Sequence, residues 1–222
     1  MTREVDWNSI GGKGSSDGKG KGFVKYVKFE PGSTIEIRPI GKVVEFYRFF
    51  IADTNRSVIV SMDNGTKATE MLAEHSGKEY KAVHRFAMNV IDRTDNNQIK
   101  VLEGGRSIYK NFGAWAKRTN SHPGGQSGGN WSIEASGKGL NREYTTTFLG
   151  PSPISEEERS RIKANGDLYS LEEVFSPCPL NNIIAKAFTP ASAGPAAPDV
   201  PAAPQVAQAD VSSTNDDDPI NW

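Results

Sequence analysis

The chain has one cysteine, Cys178, and three histidines, His75, His84 and His122, in 222 residues. A single cysteine excludes an intramolecular disulfide and fits a reducing cytoplasm. The histidines stand far apart and give no zinc-ligand spacing with that cysteine, so no metal and no other cofactor is expected. No apolar run approaches 18 residues, so no membrane partner is expected. The first residues, Met1-Thr2-Arg3-Glu4-Val5-Asp6-Trp7, lack the apolar stretch of a signal peptide. Nucleophile elbow, dinucleotide fingerprint and a paired-acid motif are all missing, which argues against an enzyme. Asp92 and Asp95 flank a turn and read as turn residues. Apolar residues are also scarce, at 36%, against 22 Gly and 13 Pro. That is too polar for one core to enclose the whole chain, so part of it is expected to be unfolded.

What is present begins with the stretch Val44-Glu45-Phe46-Tyr47-Arg48-Phe49-Phe50-Ile51. Its β-branched ends and aromatic middle are a strand composition. Strand side chains alternate, so Phe46, Arg48 and Phe50 share one face and Tyr47, Phe49 and Ile51 the other. If one set is buried, the first is left as an aromatic surface with a cation on it, suited to stacked bases and phosphates. The alternative is that both faces are buried and Arg48 snorkels to the edge.

The flanking sequence is also β-like. Phe23 to Phe29, Thr34 to Arg38 (ended by Pro39 and Gly41), Val58 to Met62, and a long run from Tyr80 to Arg93 read as strands. Asp95-Asn96-Asn97 turns the chain into Ile99 to Leu102. Trp131 to Ser136 and Tyr144 to Leu149 close the set. Lys67 to His75 reads as a short helix stopped by Gly77. Ile108, Phe112 and Trp115 recur at i, i+4 and i+7 in Ser107 to Lys117, an apolar helical stripe expected to seal the core. Arg118 to Asn130 reads as a flexible loop. Ser155 and Glu158 form a capping box, with that helix ending near Asn165-Gly166 and further helical pieces at Leu168 to Phe175 and Asn181 to Phe188.

Charge is uneven along the chain. Residues 189–222 hold five acids (Asp199, Asp210, Asp216, Asp217, Asp218) and no Lys or Arg. Setting those five aside leaves 22 acids against 26 bases, a balance of +4 in place of −1 for the whole. A basic body with an acidic tail suggests a polyanion binder carrying its own competitor. The Gly/Lys run from Gly11 to Gly22 fails the phosphate-loop spacing and reads as a mobile basic arm.

The expected fold is mainly β. It is an OB-fold barrel with one internal helix, short C-terminal helices and a disordered acidic tail. The expected divisions are an arm (1–22), an OB-fold domain binding single-stranded DNA (23–153), a helical extension (154–188), and a linker with acidic tail (189–222). The candidate groove combines Phe46, Phe50, Trp131 and Tyr144 with Arg48, Arg85, Arg93, Lys100, Lys138 and Arg142. Tyr47 and Phe49 are the next candidates.

At this point a resemblance can be stated. The chain resembles phage single-stranded DNA-binding proteins of the T-even helix-destabilising type, over roughly residues 23–160. The likeness rests on Ile35 to Gly41, Tyr80 to Asp92, Ile99 to Leu102, the helix around Ile108 and Trp115, and Trp131 to Tyr144. The end of the chain, Asp216-Asp217-Asp218-Pro219-Ile220-Asn221-Trp222, is similar to the acidic, aromatic-ended tips of bacterial and phage single-strand binders. Here Trp222 stands where those tips usually end in Phe. The resemblance implies a non-catalytic protein that coats and protects single-stranded DNA in phage replication, recombination and repair, without sequence preference. It implies recruitment of replication proteins such as polymerase and helicase or primase through Asp216, Asp217, Asp218, Pro219, Ile220 and Trp222. It also implies self-association on DNA, which in the family rests on the N-terminal arm; the arm here is Gly-rich and different. The family's zinc subdomain has no counterpart, because Met62 to Tyr80 offers only His75. The readings that compete with this one are an OB-type RNA chaperone, a nuclease of DNA metabolism and a structural virion protein.

Overall fold

The computed structural model describes the backbone of residues 3–5 and all of 24–137, 142–164 and 168–189. The chain divides into units Met1–Thr189 and Pro190–Trp222, and the second lies wholly outside the described residues. So do the Gly/Lys run, the expected linker and tail from residue 190 onward, and Asn165-Gly166.

The described part is mainly β. Seven strands form one antiparallel sheet: β1 (Arg3–Val5), β2 (Thr34–Ile51), β3 (Arg56–Val60), β4 (Val83–Asp92), β5 (Gln98–Gly104), β6 (Gly129–Ser136) and β7 (Glu143–Pro151). Its main path is β5-β4-β2-β6-β7, with β1 and β3 also paired to β2. No pairing joins β5 to β7 among the described residues, so the sheet is open there. The helices are α1 (Gly65–Ser76), α2 (Arg106–Thr119), α3 (Glu156–Ala164), α4 (Leu171–Val174) and α5 (Ile183–Phe188).

β2 is the spine, and it corrects two expectations. The segments 34–38 and 44–51 are one strand, which continues past Pro39 and bends at an irregularity between Ile40 and Val43. Gly41 supplies the bend at φ +71°, a conformation that favours glycine. Residues 3–5, expected in a mobile arm, pair with Val43 to Glu45 of β2. Of the strand expected over Phe23 to Phe29, the described residues 24–29 form no full strand, and Tyr26 makes a single parallel bridge to Val101.

Inside the curve of the sheet lies the largest core. Ile35, Ile37, Met88, Val90, Leu102, Trp131 and Ile133 meet Ile108, Phe112 and Trp115 from α2. The i, i+4, i+7 stripe is buried as its spacing requires, each such side chain contributing roughly 1.5–3 kcal/mol. α2 follows β5 and is tied to β7, since Asn111 Nδ2 donates to the Thr146 carbonyl at 2.6 Å and Thr146 Oγ1 to the Ile108 carbonyl at 3.0 Å.

The residues after β7 cover the sheet elsewhere. Leu171 and Phe175 pack on Val44, Phe46 and Ala87, while Ile183 and Ala187 pack with α1 on Phe49, Ile51 and Val58. Both faces of the aromatic stretch are therefore largely covered. The expected capping box is formed: Ser155 N–H donates to Glu158 at 2.8 Å, and Glu158 N–H to Ser155 Oγ at 3.1 Å. Asn96 and Asn97 turn the β4–β5 hairpin in the left-handed conformation.

The largest departure is the loop between α2 and β6. It is not a loose Gly/Ser segment: Pro123, Gly124, Gly125 and Gly128 are buried around Arg38. Arg38 is itself 0% exposed. Its Nε donates to the Ser152 carbonyl at 2.6 Å, Nη1 to the carbonyls of Pro39 at 2.6 Å and Pro123 at 2.9 Å, and Nη2 to that of Gly125 at 2.7 Å. A Cβ on Gly124 would lie 2.3 Å from the Gly41 carbonyl oxygen, so glycine is required there by close approach. Burial first, then nearby Arg93, lowers the Arg38 pKa to about 10, which leaves it charged at neutral pH. Replacing Arg38 by Met strands several buried carbonyls, each costing about 1–3 kcal/mol. Arg38→Met is expected to lower unfolding free energy by about 3 kcal/mol or more in urea denaturation. Arg56→Met, which removes one exposed bond to the Lys186 carbonyl, should change it by about 0.5 kcal/mol or less.

Candidate nucleic-acid interface

The antiparallel register assigns the sheet's outer face. Phe46 pairs with Arg85 and Arg48 with Val83. Arg48 also pairs with Ile59, and Phe50 with Ser57; Ala87 pairs with Glu103. Directly paired residues share a face. Phe46, Arg48, Phe50, Arg85 and Glu103 are thus neighbours on the side opposite the α2 core.

Two guanidinium groups converge on one carboxylate there. Arg48 Nη2 lies 2.9 Å from Glu103 Oε2, and Arg85 Nε 3.2 Å from Glu103 Oε1. The Arg48 guanidinium carbon stands 5.7 Å from the Phe46 ring centroid. Arg48 Nε is buried with no acceptor among the described residues. Two cations and one anion leave this trio with a formal surplus of positive charge. Around it Phe50 is 57% exposed, Val83 44% and Tyr26 39%. These are three of the four exposed large hydrophobic residues described, so apolar surface concentrates beside the arginines. Burial, and then the Glu103 charge, raises the Tyr26 pKa, keeping its hydroxyl protonated.

Phe46 corrects the expected platform. It is 0% exposed, with the Phe175 ring stacked on it at 4.8 Å and 20°. The chain after β7 returns over this part of the sheet and occupies the face a base would use. Trp131 is likewise a core residue, 1% exposed against Phe112 and Phe148. Tyr47 is half-buried, Phe49 is buried, and both pack toward the α1 and α5 side.

The other candidates lie apart from this trio. Arg93 pairs with Glu158 and bonds Asn97 at 3.0 Å, joining β4 to α3. Burial opposes ionisation of Glu158, but bonds from Ser155 and Arg93 outweigh it and hold the pKa below its ordinary value. Lys100 bridges Asp92 at 2.8 Å and Asp95 at 2.6 Å across the hairpin. Burial pulls its pKa down, yet those two carboxylates win and the net shift is upward. Arg142 donates to the Phe29 carbonyl at 3.3 Å, and Tyr144 meets the Phe29 ring edge-on at 5.1 Å. Lys138 and the tail residues Asp216, Asp217, Asp218, Pro219, Ile220 and Trp222 lie outside the described residues.

Sequence reasoning passed over α2 as a surface. Arg106, Lys110, Lys117 and Arg118 are exposed there, and its 14 residues include no Asp or Glu. That signal is present in the sequence, behind the apolar stripe that draws attention first. Among the described residues no three His, Cys, Asp or Glu side chains converge as a metal-ligand set, and no helix is long and apolar enough to cross a membrane. No protein-family model matches the chain, and no curated protein matches it significantly.

The covered and open halves of this face make opposite stability predictions. Phe175→Ala should cost about 3–5 kcal/mol, as for other buried Phe truncations. Phe50→Ala should stay within about 0.5 kcal/mol, as for exposed sites. Paired urea denaturation curves of the two variants check the assignment.

Proposed function

We propose that the chain is a non-catalytic single-stranded DNA-binding protein of phage replication, recombination and repair, and that it binds without sequence preference. The observation that carries the reading is the juxtaposition on one sheet face of Arg48, Arg85 and exposed Phe50. It offers phosphate ligands next to an aromatic ring, the combination that sequence-tolerant single-strand sites use. The unsatisfied Arg48 Nε–H supports it further, as a donor waiting for an oxygen.

The strand order supports an OB-type barrel. Setting β1 and β3 aside, the order β5-β4-β2-β6-β7 is 3-2-1-4-5 in chain sequence, with α2 between the third and fourth strands. OB-folds bind oligonucleotides on the face of strands 2 and 3 and with the loops after strands 1 and 4. By that correspondence Arg85 and Glu103 belong to the binding strands, and Arg142, just before β7, stands beside the second of those loops. Phosphates displace Glu103 from the two arginines when DNA binds. The acidic tip, Asp216 to Asp218 with Pro219, Ile220 and Trp222, recruits replication proteins such as polymerase and helicase or primase, Trp222 serving as the aromatic anchor.

Titration of a fluorescent oligothymidylate against the full chain tests the reading. Binding is expected to weaken with salt at a log–log slope of about −0.7 per phosphate contact, and duplex DNA should compete poorly. Phe50→Ala is expected to weaken binding about tenfold, from a stacking contribution of about 1–3 kcal/mol per base. Glu103→Gln should strengthen it at low salt. Absence of binding, a flat salt slope, or stronger competition by RNA or duplex would reject the proposal.

A further inference from the structure

The cations chosen from the sequence are nearly all engaged: Arg48 and Arg85 with Glu103, Arg93 with Glu158, Lys100 with Asp92 and Asp95. Those of α2 are not. Arg106, Lys110, Lys117 and Arg118 have no hydrogen-bond or ion-pair partner among the described residues. Arg106, Lys110 and Lys117 recur at i, i+4 and i+11, which puts them on one side of the helix. Arg118 is set off from that stripe, toward β7.

Beside Arg118 an open cavity of about 340 Å³ lies between α2 and the β6–β7 pair. That is within the roughly 300–1,000 Å³ of small-molecule sites. Its lining includes Asn111, Ala114, Trp115, Arg118, Trp131 and Phe148. The three rings form a continuous aromatic wall, with Trp115 and Trp131 each about 5 Å from Phe148, at 5.2 and 5.1 Å between centroids. Trp131 is 1% exposed, and its Nε1–H has no acceptor among the described residues. As a lining residue, Trp131 reports on whatever enters the cavity.

We infer that this cavity is a nucleotide-binding subsite, taking one base of a bound single strand against the Trp115/Phe148 wall with the adjoining phosphate on Arg118. A purely apolar side chain would make no use of Arg118. The basic stripe of α2 then carries the neighbouring phosphates, so the strand has a second contact surface on the α2/β7 side, away from Arg48 and Phe50. The inference rests on the proposed single-strand binding and adds a site to it.

The indole N–H resonances of the uniformly 15N-labelled full chain provide the test. Trp7→Phe and Trp222→Phe reduce the four indole signals to those of Trp115 and Trp131. Adding oligothymidylate, or thymidine 5′-monophosphate at millimolar concentration, is expected to shift the Trp131 indole signal. Ala114→Phe, which fills the mouth of the cavity from an exposed helix position, should abolish that shift. Arg118→Ala should weaken oligonucleotide binding about threefold to tenfold while the amide spectrum stays folded. If the oligonucleotide binds by fluorescence anisotropy but neither ligand moves the Trp131 signal, the subsite is overturned and the proposed function stands. If the oligonucleotide does not bind, the proposed function fails; a mononucleotide shift that Ala114→Phe removes would still support the subsite, and no shift would overturn it. A Trp131 signal that moves on deletion of residues 212–222 and not on adding either ligand assigns the cavity to the chain's own tail and also overturns it.

Discussion

One buried cation holds the sheet in its shape. Arg38 sits mid-strand in β2 with no carboxylate bonded to it among the described residues, and carbonyl oxygens from the loop before β6, from the exit of β7 and from its own strand take up its guanidinium protons. An isolated charge in an apolar interior costs many kcal/mol, so such a group persists only where its donors are satisfied. The carbonyl cradle meets that condition, and to build it the loop must fold tightly against the bend at Gly41. Gly124 permits that approach, and the Gly41 N–H completes it by donating to the Gly124 carbonyl at 3.1 Å. The bend in β2 follows, in a sheet with one side filled by α2 and the opposite side covered by Leu171 and Phe175.

The outer side is shared between structure and site. Phe175 and Leu171 take the middle of it, where Phe46 and Val44 lie, and the end nearest Phe50 stays open. The arginines mark the border, with Glu103 between them as the only carboxylate bonded to either among the described residues. The proposed function needs that border to be open to a polyanion. The α2 side supplies a contrasting surface, with cations that no described acid neutralises and an aromatic cavity next to them.

Much of the framework was legible in the sequence because it rests on local rules. The 3.6-residue stripe of α2, the Asn-rich hairpin, the Gly77 helix stop and the Ser155/Glu158 box each depend on residues within a few positions of one another, and each appears in the structure. The misreadings came from contacts distant in sequence. Pro39 and Gly41 look like strand terminators until β4 and β6 pair alongside and Arg38 locks the bend. The glycines of 124–129 look mobile until the same guanidinium gathers them. Phe46 looks like an open ring because its cover, Phe175, is 129 positions away. Of the proposed site, Arg48, Phe50 and Arg85 were visible through strand alternation. The cavity beside Arg118 was not, because Trp115, Trp131 and Phe148 come from three separate elements and each looks like core on its own.

The central claim is that single-stranded DNA lies across the outer face beside Arg48 and Arg85. Photocrosslinking with oligonucleotides carrying 5-iododeoxyuridine, followed by mass spectrometry of the adducts, tests it most directly, since that base couples to aromatic side chains it stacks on. The account predicts adducts on Phe50 and Tyr26, lost when excess unlabelled single strand is added. Adducts confined to the α1/α5 side, at Tyr80 or Phe188, or no specific adduct on the protein, would contradict it.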